Sequence, residues 1–287
     1  MTHLVEQPVE LLEYLSQQYP TAKKTTLRQW LKFGSVHVNN RRVTHTRHPL
    51  QPGDEVSICS KEEARAASKI ARGLEIVYED DALIVIDKPA NLLSMASDAE
   101  RQKTAYAMLT DYVRRGQAHS PHRIWIVHRL DKETSGLMVF AKSEAAKVAL
   151  QDNWAHATKK YLAVVSGQPA TDEGTLRSHL DESDRYLVRS APPSDRTREA
   201  ITHYRVVRRG RYRALLECTL ITGRRHQIRV QLADVKLTVV GDQRYQKRKD
   251  HVRRLALHSS YLEFDHPETG ERLSFHSHLP GELARLI

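Results

Sequence analysis

The reactive side chains of this chain concentrate in one ten-residue stretch, His128-Arg129-Leu130-Asp131-Lys132-Glu133-Thr134-Ser135-Gly136-Leu137. It sits between two apolar runs, residues 124–127 and 137–141. Apolar strands on both sides would hold such a loop rigidly at a sheet end, where function is often carried. Three readings compete: a polar turn without chemistry, a kinase-like catalytic loop, and a loop that presents a carboxylate nucleophile. The kinase reading fails on context. His-Arg-Leu-Asp has one residue too many, no G-x-G-x-x-G loop precedes it, and no Asp-Phe-Gly follows. No Gly-Lys pair occurs in the chain, so there is no P-loop. A glycosidase needs a second carboxylate across the scissile bond. Glu133 is only two residues from Asp131, and the sequence does not show that both face one site. A turn and a carboxylate nucleophile stay open from the residues alone.

Charge suggests the partner. The 287 residues carry a formal net charge of +10, which favours a polyanion, either nucleic acid or an anionic membrane surface. Arginine and lysine cluster at 205–213, 224–229 and 244–254. Three clusters in one half of the chain favour a phosphate-binding surface over separate solvated faces. No run of 18 apolar residues is available to span a membrane, and the first residues do not resemble a secretory signal. Cys59 and Cys218 each lie in an alternating apolar run and belong to no C-x-x-C pair. They read as small buried hydrophobes in a reducing cytoplasm. Among sixteen histidines, His119-x-x-His122 and His276-x-His278 are closely spaced pairs. Neither has a cysteine partner or an H-E-x-x-H setting, so no metal site is expected.

The elements that must position the loop are legible in outline. Apolar positions 11, 12, 15 and 19 predict a helix ended by Pro20. A second helix fits 25–33 with Gly34 beyond it. A short strand at 36–38, the Asn39-Asn40 turn, and a strand at 56–58 after Pro52-Gly53-Asp54 complete a small unit over residues 1–60. Residues 61–73 are charged, Ala-rich and without an apolar face, and read as a linker. A larger domain over 74–287 begins with a strand at 76–78 and a fully apolar one at 82–86, a run that implies burial on both faces. Helices are expected from Thr104 to Arg115, stopped by Gly116, and from the Ser143 cap through Trp154. A strand follows at 161–165. Hairpins follow, joined at Gly210 and at 267–270. Irregularly mixed elements with hairpin partners predict an α+β fold with a mixed, mainly antiparallel sheet.

Two resemblances attach to these residues. The run from Leu27 to Asn39, followed by Pro52-Gly53-Asp54-Glu55-Val56, resembles the S-four-type RNA-binding module. By that resemblance Arg28, Lys32, Arg41 and Arg42 would face structured RNA. The loop His128-Arg129-Leu130-Asp131-x-x-Thr134-Ser135-Gly136-Leu137 resembles the central motif of the RluA-type pseudouridine synthases. Three further segments agree in the family's order. They are Ile84 to Ala90, the Lys160-Tyr161-Leu162-Ala163 segment, and Thr222 to Val230 followed by Val240-Gly241-Asp242 and Tyr245. Together they span roughly residues 74–278.

The resemblance implies conversion of uridine to pseudouridine with no metal or organic cofactor. It implies Asp131 as the nucleophile. A carboxylate in a pocket filled by a base loses solvation, which favours its protonated form, and a close arginine reverses that. The resemblance gives this part to Arg229, with Arg224 as the rival and as an RNA contact otherwise. By the resemblance Tyr161 would stack on the flipped uracil and is also a candidate base for its carbon 5 proton, and Arg129 would fill the gap that the extruded base leaves. The implied partner is structured RNA, ribosomal rather than transfer RNA, and a cytoplasmic monomer is expected. A noncatalytic RNA-binding or ribosome-assembly factor and a nucleoside hydrolase are the other classes. Three departures stand out. Asn91 replaces the usual glycine, Gln231 replaces the usual histidine, and residues 91–103 lack the common His-Pro end. None falls on Asp131, Tyr161 or Arg229.

Overall fold

The computed structural model describes residues 2–32, 35–39, 41–43, 45–58, 69–70, 74–96, 100, 102–114, 121–184, 186–246, 251–252 and 254–287. Phe33, Gly34, Asn40, Cys59, Gly116, His119 and most of the 61–73 linker lie outside the described residues. So do the side chains of Lys32, Arg41 and Arg42.

Helices Leu11–Gln18 and Lys24–Lys32 each bury a pair of leucines four residues apart, Leu11 with Leu15 and Leu27 with Leu31. That spacing puts both members of each pair on one helix face. They close over a four-stranded antiparallel sheet made of Thr2–Leu4, Glu55–Ile58, Val36–Val38 and Arg41–Arg42. This cluster draws only on residues 5–58 and is separate from those formed after residue 73. Lys69–Ile70, inside the segment read as a linker, forms a short strand paired with Leu74 and Glu75.

From residue 69 onward one twelve-stranded sheet organises the chain. Its order runs Arg189–Ala191, Glu173–Asp181, Thr197–Arg209, Arg213–Leu220, Thr158–Ser166, Leu257–Asp265, Ser135–Ala141, Leu83–Lys88, Leu74–Glu79 and Lys69–Ile70. Trp125–Ile126 and Arg272–His276 flank the centre. Every pairing is antiparallel except one, where Ser135 and Gly136 run parallel to His258 and Ser259. The fold is the expected α+β, mainly antiparallel one.

The apolar central strands are explained by two cores. Side chains alternate across a strand. Ile84, Ile86, Met138 and Phe140 enter one cluster, while Leu83, Val85, Leu137, Val139 and Ala141 enter another. Each fully buried aliphatic side chain contributes roughly 1.5–3 kcal/mol. Helix Ala105–Val113 covers the first face through Met108 and Leu109, and helix Glu144–Asp152 covers the second through Ala146 and Leu150. Thr104 and Ser143 cap these helices, accepting from Ala107 N and Ala146 N at 3.0 Å. The strand expected at 124–127 is shorter. Only Trp125 and Ile126 pair, on one side, and both stay partly exposed, because that strand is an edge appended to Phe140 and Ala141.

Gly136 fixes where the reactive loop meets the sheet. Its φ is +112°, and a Cβ there would lie 2.2 Å from the Ser259 carbonyl oxygen. Only glycine allows the parallel strand to approach this closely.

Candidate active site

Asp131 sits on a loop pinned from two sides. Leu130 is buried in the core. The buried Ser94 hydroxyl accepts from Leu130 N at 3.1 Å and donates to Leu130 O at 2.7 Å. On the other side the fully buried Lys88 ammonium donates to Leu92 O, Pro89 O and Lys132 O at 2.8, 3.0 and 3.2 Å. Its three N–H donors thus meet three carbonyls, one of them next to Asp131. Burial pulls the Lys88 ammonium down to about 7, with Asp131 and Glu133 acting the other way. His128 plays a structural part. Its Nε2 accepts from Val139 N at 3.1 Å, and its ring packs 4.5 Å from Trp154. Burial, then Lys159, lowers it to about 3, so it remains the neutral acceptor that Val139 needs.

Helix Gln227–Asp234 brings the facing charge. Residues 227–232 are all buried, including Gln227, Arg229 and Gln231. Buried polar groups need partners, and these have them. Gln227 joins Thr222, Thr202 and Ile201 O, while Gln231 joins Thr202, Ser178 and Ala200 O. Gln231, a departure from the family pattern, therefore ties this helix to the sheet. Asn91, the other, has φ +64°, a left-handed conformation that asparagine tolerates better than most residues.

Arg229 is 2% exposed and held at three nitrogens. Nε and one terminal nitrogen donate to the two oxygens of Asp242 at 2.7 and 2.9 Å. The other terminal nitrogen donates to Asp131 at 3.1 Å. Glu133 stands 3.8 Å away. Burial works against the guanidinium's charge, but Asp242 and then Asp131 outweigh it and raise its pKa. Arg224, the rival, is exposed and its Nε donates to Glu199 O at 3.1 Å.

Tyr161, 8% exposed, enters the same pocket from strand Thr158–Ser166. Burial first, and the Asp131 charge second, push its hydroxyl above the ordinary tyrosine range. The cavity, about 70 Å³, is lined by Asp131, Tyr161 and Arg229, by Leu220 and Leu257, and by Arg129 and Arg224 at its exposed rim. A larger cavity of about 560 Å³ borders Lys88, Asp87, Ser135, Arg254 and His258, but Asp131, Tyr161 and Arg229 do not line it.

Of the residues singled out in the sequence, the fold brings Asp131, Arg229, Tyr161, Arg129 and Arg224 together. Arg28 is exposed on helix Lys24–Lys32, apart from this pocket. Sequence reasoning gave no role to Lys88, Ser94, His226, Asp242 or Tyr245. The available signal was Asp242, an acid one glycine beyond Val239-Val240, because a buried carboxylate needs a cation. Gly241, with φ +76° and no room for a Cβ beside Arg254 O, makes the turn that puts Asp242 there.

The α+β sheet thus presents a carboxylate and a buried arginine beside a buried tyrosine at one pocket. Residues 82–234 match the RNA pseudouridylate synthase family model. The uncharacterized RNA pseudouridine synthase YlyB of Bacillus subtilis is 35% identical over 271 residues, 92% of this chain and 88% of that one. Ribosomal large subunit pseudouridine synthase D of Xanthomonas campestris is 33% identical over 291 residues, 95% of this chain and 86% of that one. The solved structure of human RNA pseudouridylate synthase domain containing 4 superposes with a TM-score of 0.62 at 25% identity, covering 75% of this chain and 91% of that one. The chain belongs to the RNA pseudouridylate synthase family, and its activity is the isomerisation of uridine to pseudouridine in RNA. Among the described residues, no helix is long and apolar enough to cross a membrane.

Proposed function

We propose that this chain modifies large-subunit ribosomal RNA in the cytoplasm as a monomer, with Asp131 as the nucleophile. The observation that carries the assignment is the chain of ion pairs from Asp242 through Arg229 to Asp131. It orients a carboxylate at a pocket that sets Tyr161, Leu220, Ile228 and Leu257 beside charged and polar side chains. Curated relatives named for the large ribosomal subunit support the choice of RNA.

In the reaction the bond from uracil N1 to ribose C1′ breaks, the base rotates, and C5 bonds to C1′. The C5 proton leaves and N1 gains one, so nothing is oxidised or consumed. Asp131 assists this exchange covalently. Arg229 orients it through the 3.1 Å ion pair, Tyr161 lends a ring face to the flipped base, and Arg129 fills the vacated stack. Arg224 meets the backbone at the rim. Residues 74–287 form the catalytic unit, whose sheet also takes in Lys69–Ile70 from the segment 61–73 read as a linker. Residues 1–60, with Arg28, Lys32, Arg41 and Arg42, supply a second RNA contact.

The test is tritium release from RNA labelled at C5 of uridine. Wild type and Asp131→Asn would be compared on ribosomal and transfer RNA from cells lacking the enzyme. Release from ribosomal RNA by the wild type alone is expected. Release from transfer RNA alone would overturn the substrate assignment, and an active Asp131→Asn variant would overturn the nucleophile.

A further inference from the structure

His226 lines the Asp131 pocket, yet nothing above gives it a role. It precedes helix Gln227–Asp234 in the left-handed region, with φ 54°, so its ring is aimed by backbone geometry. Its two nitrogens differ. Nδ1 lies 2.7 Å from the Tyr245 hydroxyl. That hydroxyl already accepts from the Val188 backbone N–H at 3.1 Å. A phenol oxygen that accepts from an amide keeps its own proton to donate, and Nδ1 is the acceptor within reach. Pairing the hydroxyl's proton with Nδ1 assigns the proton of a neutral imidazole to Nε2, the nitrogen on the Asp131 side. Burial lowers the ring's pKa, with Arg229, Arg244 and Arg225 in the same direction and Asp131 opposing. The neutral form is thus the one present at physiological pH. Nε2 stands 3.8 Å from Asp131 Oδ2, too far for a hydrogen bond. Among the described residues none accepts from it. The result is a fixed N–H donor beside the reacting carboxylate, facing a pocket whose other walls include Tyr161, Leu220 and Leu257.

We propose that His226 Nε2–H donates to a carbonyl oxygen of the captured uracil and so orients the base against Asp131, with Tyr245 and Val188 fixing its tautomer. The inference rests on the reading of Asp131 as the nucleophile.

Two substitutions separate this role from a purely structural one. Glutamine places its amide nitrogen near the position of Nε2, whereas asparagine places its amide near Nδ1, on the Tyr245 side. If His226 serves the base, His226→Gln keeps the single-turnover rate within a few-fold. His226→Asn loses about tenfold, the value of one hydrogen bond in a shielded site, with RNA affinity unchanged. If His226 only clamps Tyr245, the order reverses. Backbone strain cannot mimic the expected order, because asparagine is the residue better suited to φ 54°. Both variants would be assayed as the full chain, with unfolding temperatures measured. RNA carrying 2-thiouridine or 4-thiouridine at the target then identifies the oxygen. One analogue should slow the wild type and leave His226→Asn no slower than on uridine. Asparagine equal to or faster than glutamine, or a wild type indifferent to both analogues, overturns the inference alone. A wild type that releases no tritium from any RNA overturns the underlying reading with it.

Discussion

Replacing Asp242 by asparagine would isolate what the buried ion pair does for the reaction. The carboxylate is 1% exposed and receives two nitrogens of Arg229 and the backbone N–H groups of Arg244 and Tyr245. Oδ1 takes three of these four donors and Oδ2 takes only Arg229 Nε. The asparagine amide would therefore turn its nitrogen toward Nε, where one donor meets another, and keep its oxygen for the other three. One charge-assisted hydrogen bond is lost, worth about 1.5–3 kcal/mol. The 2%-exposed Arg229 also loses one of its two closest compensating charges. Removing one partner of a buried pair costs about 3–5 kcal/mol. Asp131 still compensates part of the charge, so the lower end, about 3 kcal/mol, is expected. For a chain of this size that lowers the unfolding temperature by about 6–12 °C. The guanidinium would also swing toward Asp131, and a misplacement near 1 Å costs about 100-fold in rate. Thermal unfolding, single-turnover tritium release and RNA binding would be measured on the same preparation, below the variant's transition. A stability loss and a slower step are expected with RNA affinity unchanged, because Asp242 does not reach the surface. A destabilised variant that reacts at the wild-type rate would refute the claim that Asp242 sets the position of Arg229.

Two further outcomes follow from the same structure. His258 is 1% exposed between the Ser135 and Ser277 hydroxyls at 2.8 and 2.9 Å, and burial, then Arg254, lowers its pKa to about 4. The unfolded chain takes up that proton near pH 6.5 and the native one only near 4. Native stability is therefore lost as pH falls through this window, by about 2 kcal/mol at pH 5. His258→Asn should flatten the fall in unfolding temperature between pH 7 and 5, and an unchanged slope would contradict the assignment. Arg129 is exposed at the pocket rim. Arg129→Ala should leave the unfolding temperature within the span of an ordinary surface change. It should slow reaction at a stacked uridine far more than at an unpaired one, since the latter is already extruded. Equal losses on both substrates would mean that Arg129 does not take the place of the base.

Much of this was legible in the sequence because apolar periodicity is a local property. The run 82–86 announced burial on both faces, and the alternation of its side chains between two clusters accounts for it. Thr104 and Ser143 marked helix starts that the caps realise. The pairing of Asp131 with Arg229, 98 residues apart, has no local signature. It came from resemblance, as the flanking motifs did. Lys88, within the segment Ile84 to Ala90, is fully buried, and Asp242 is sealed against Arg229. A charged residue reads the same whether it is solvated or sealed against a partner, and only the tertiary count of donors and acceptors separates the two cases. His226 is harder still. Its role depends on a left-handed backbone angle and on a hydroxyl 19 residues away.

That count also divides the work of the site. Arg229, Asp242, Tyr161 and Lys88 are almost without exposure, and apart from Tyr161 each is held by at least three polar contacts. Their geometry is set before any RNA arrives, so electrostatic stabilisation costs little reorganisation when the bond breaks. Arg129, Lys132, Arg224 and Arg244 surround them and are exposed. Exposed cations of this kind suit phosphate contact, whose strength scales with the number of phosphates neutralised and falls with salt. Loss of a rim cation should weaken RNA capture and reduce its salt dependence, while loss of a buried group should slow the step after capture. Substrate range can therefore change by exchange of rim residues while the ion-paired centre stays as it is, and the exposed position of Arg129 and Arg224 around a sealed Arg229 is the physical basis for that separation.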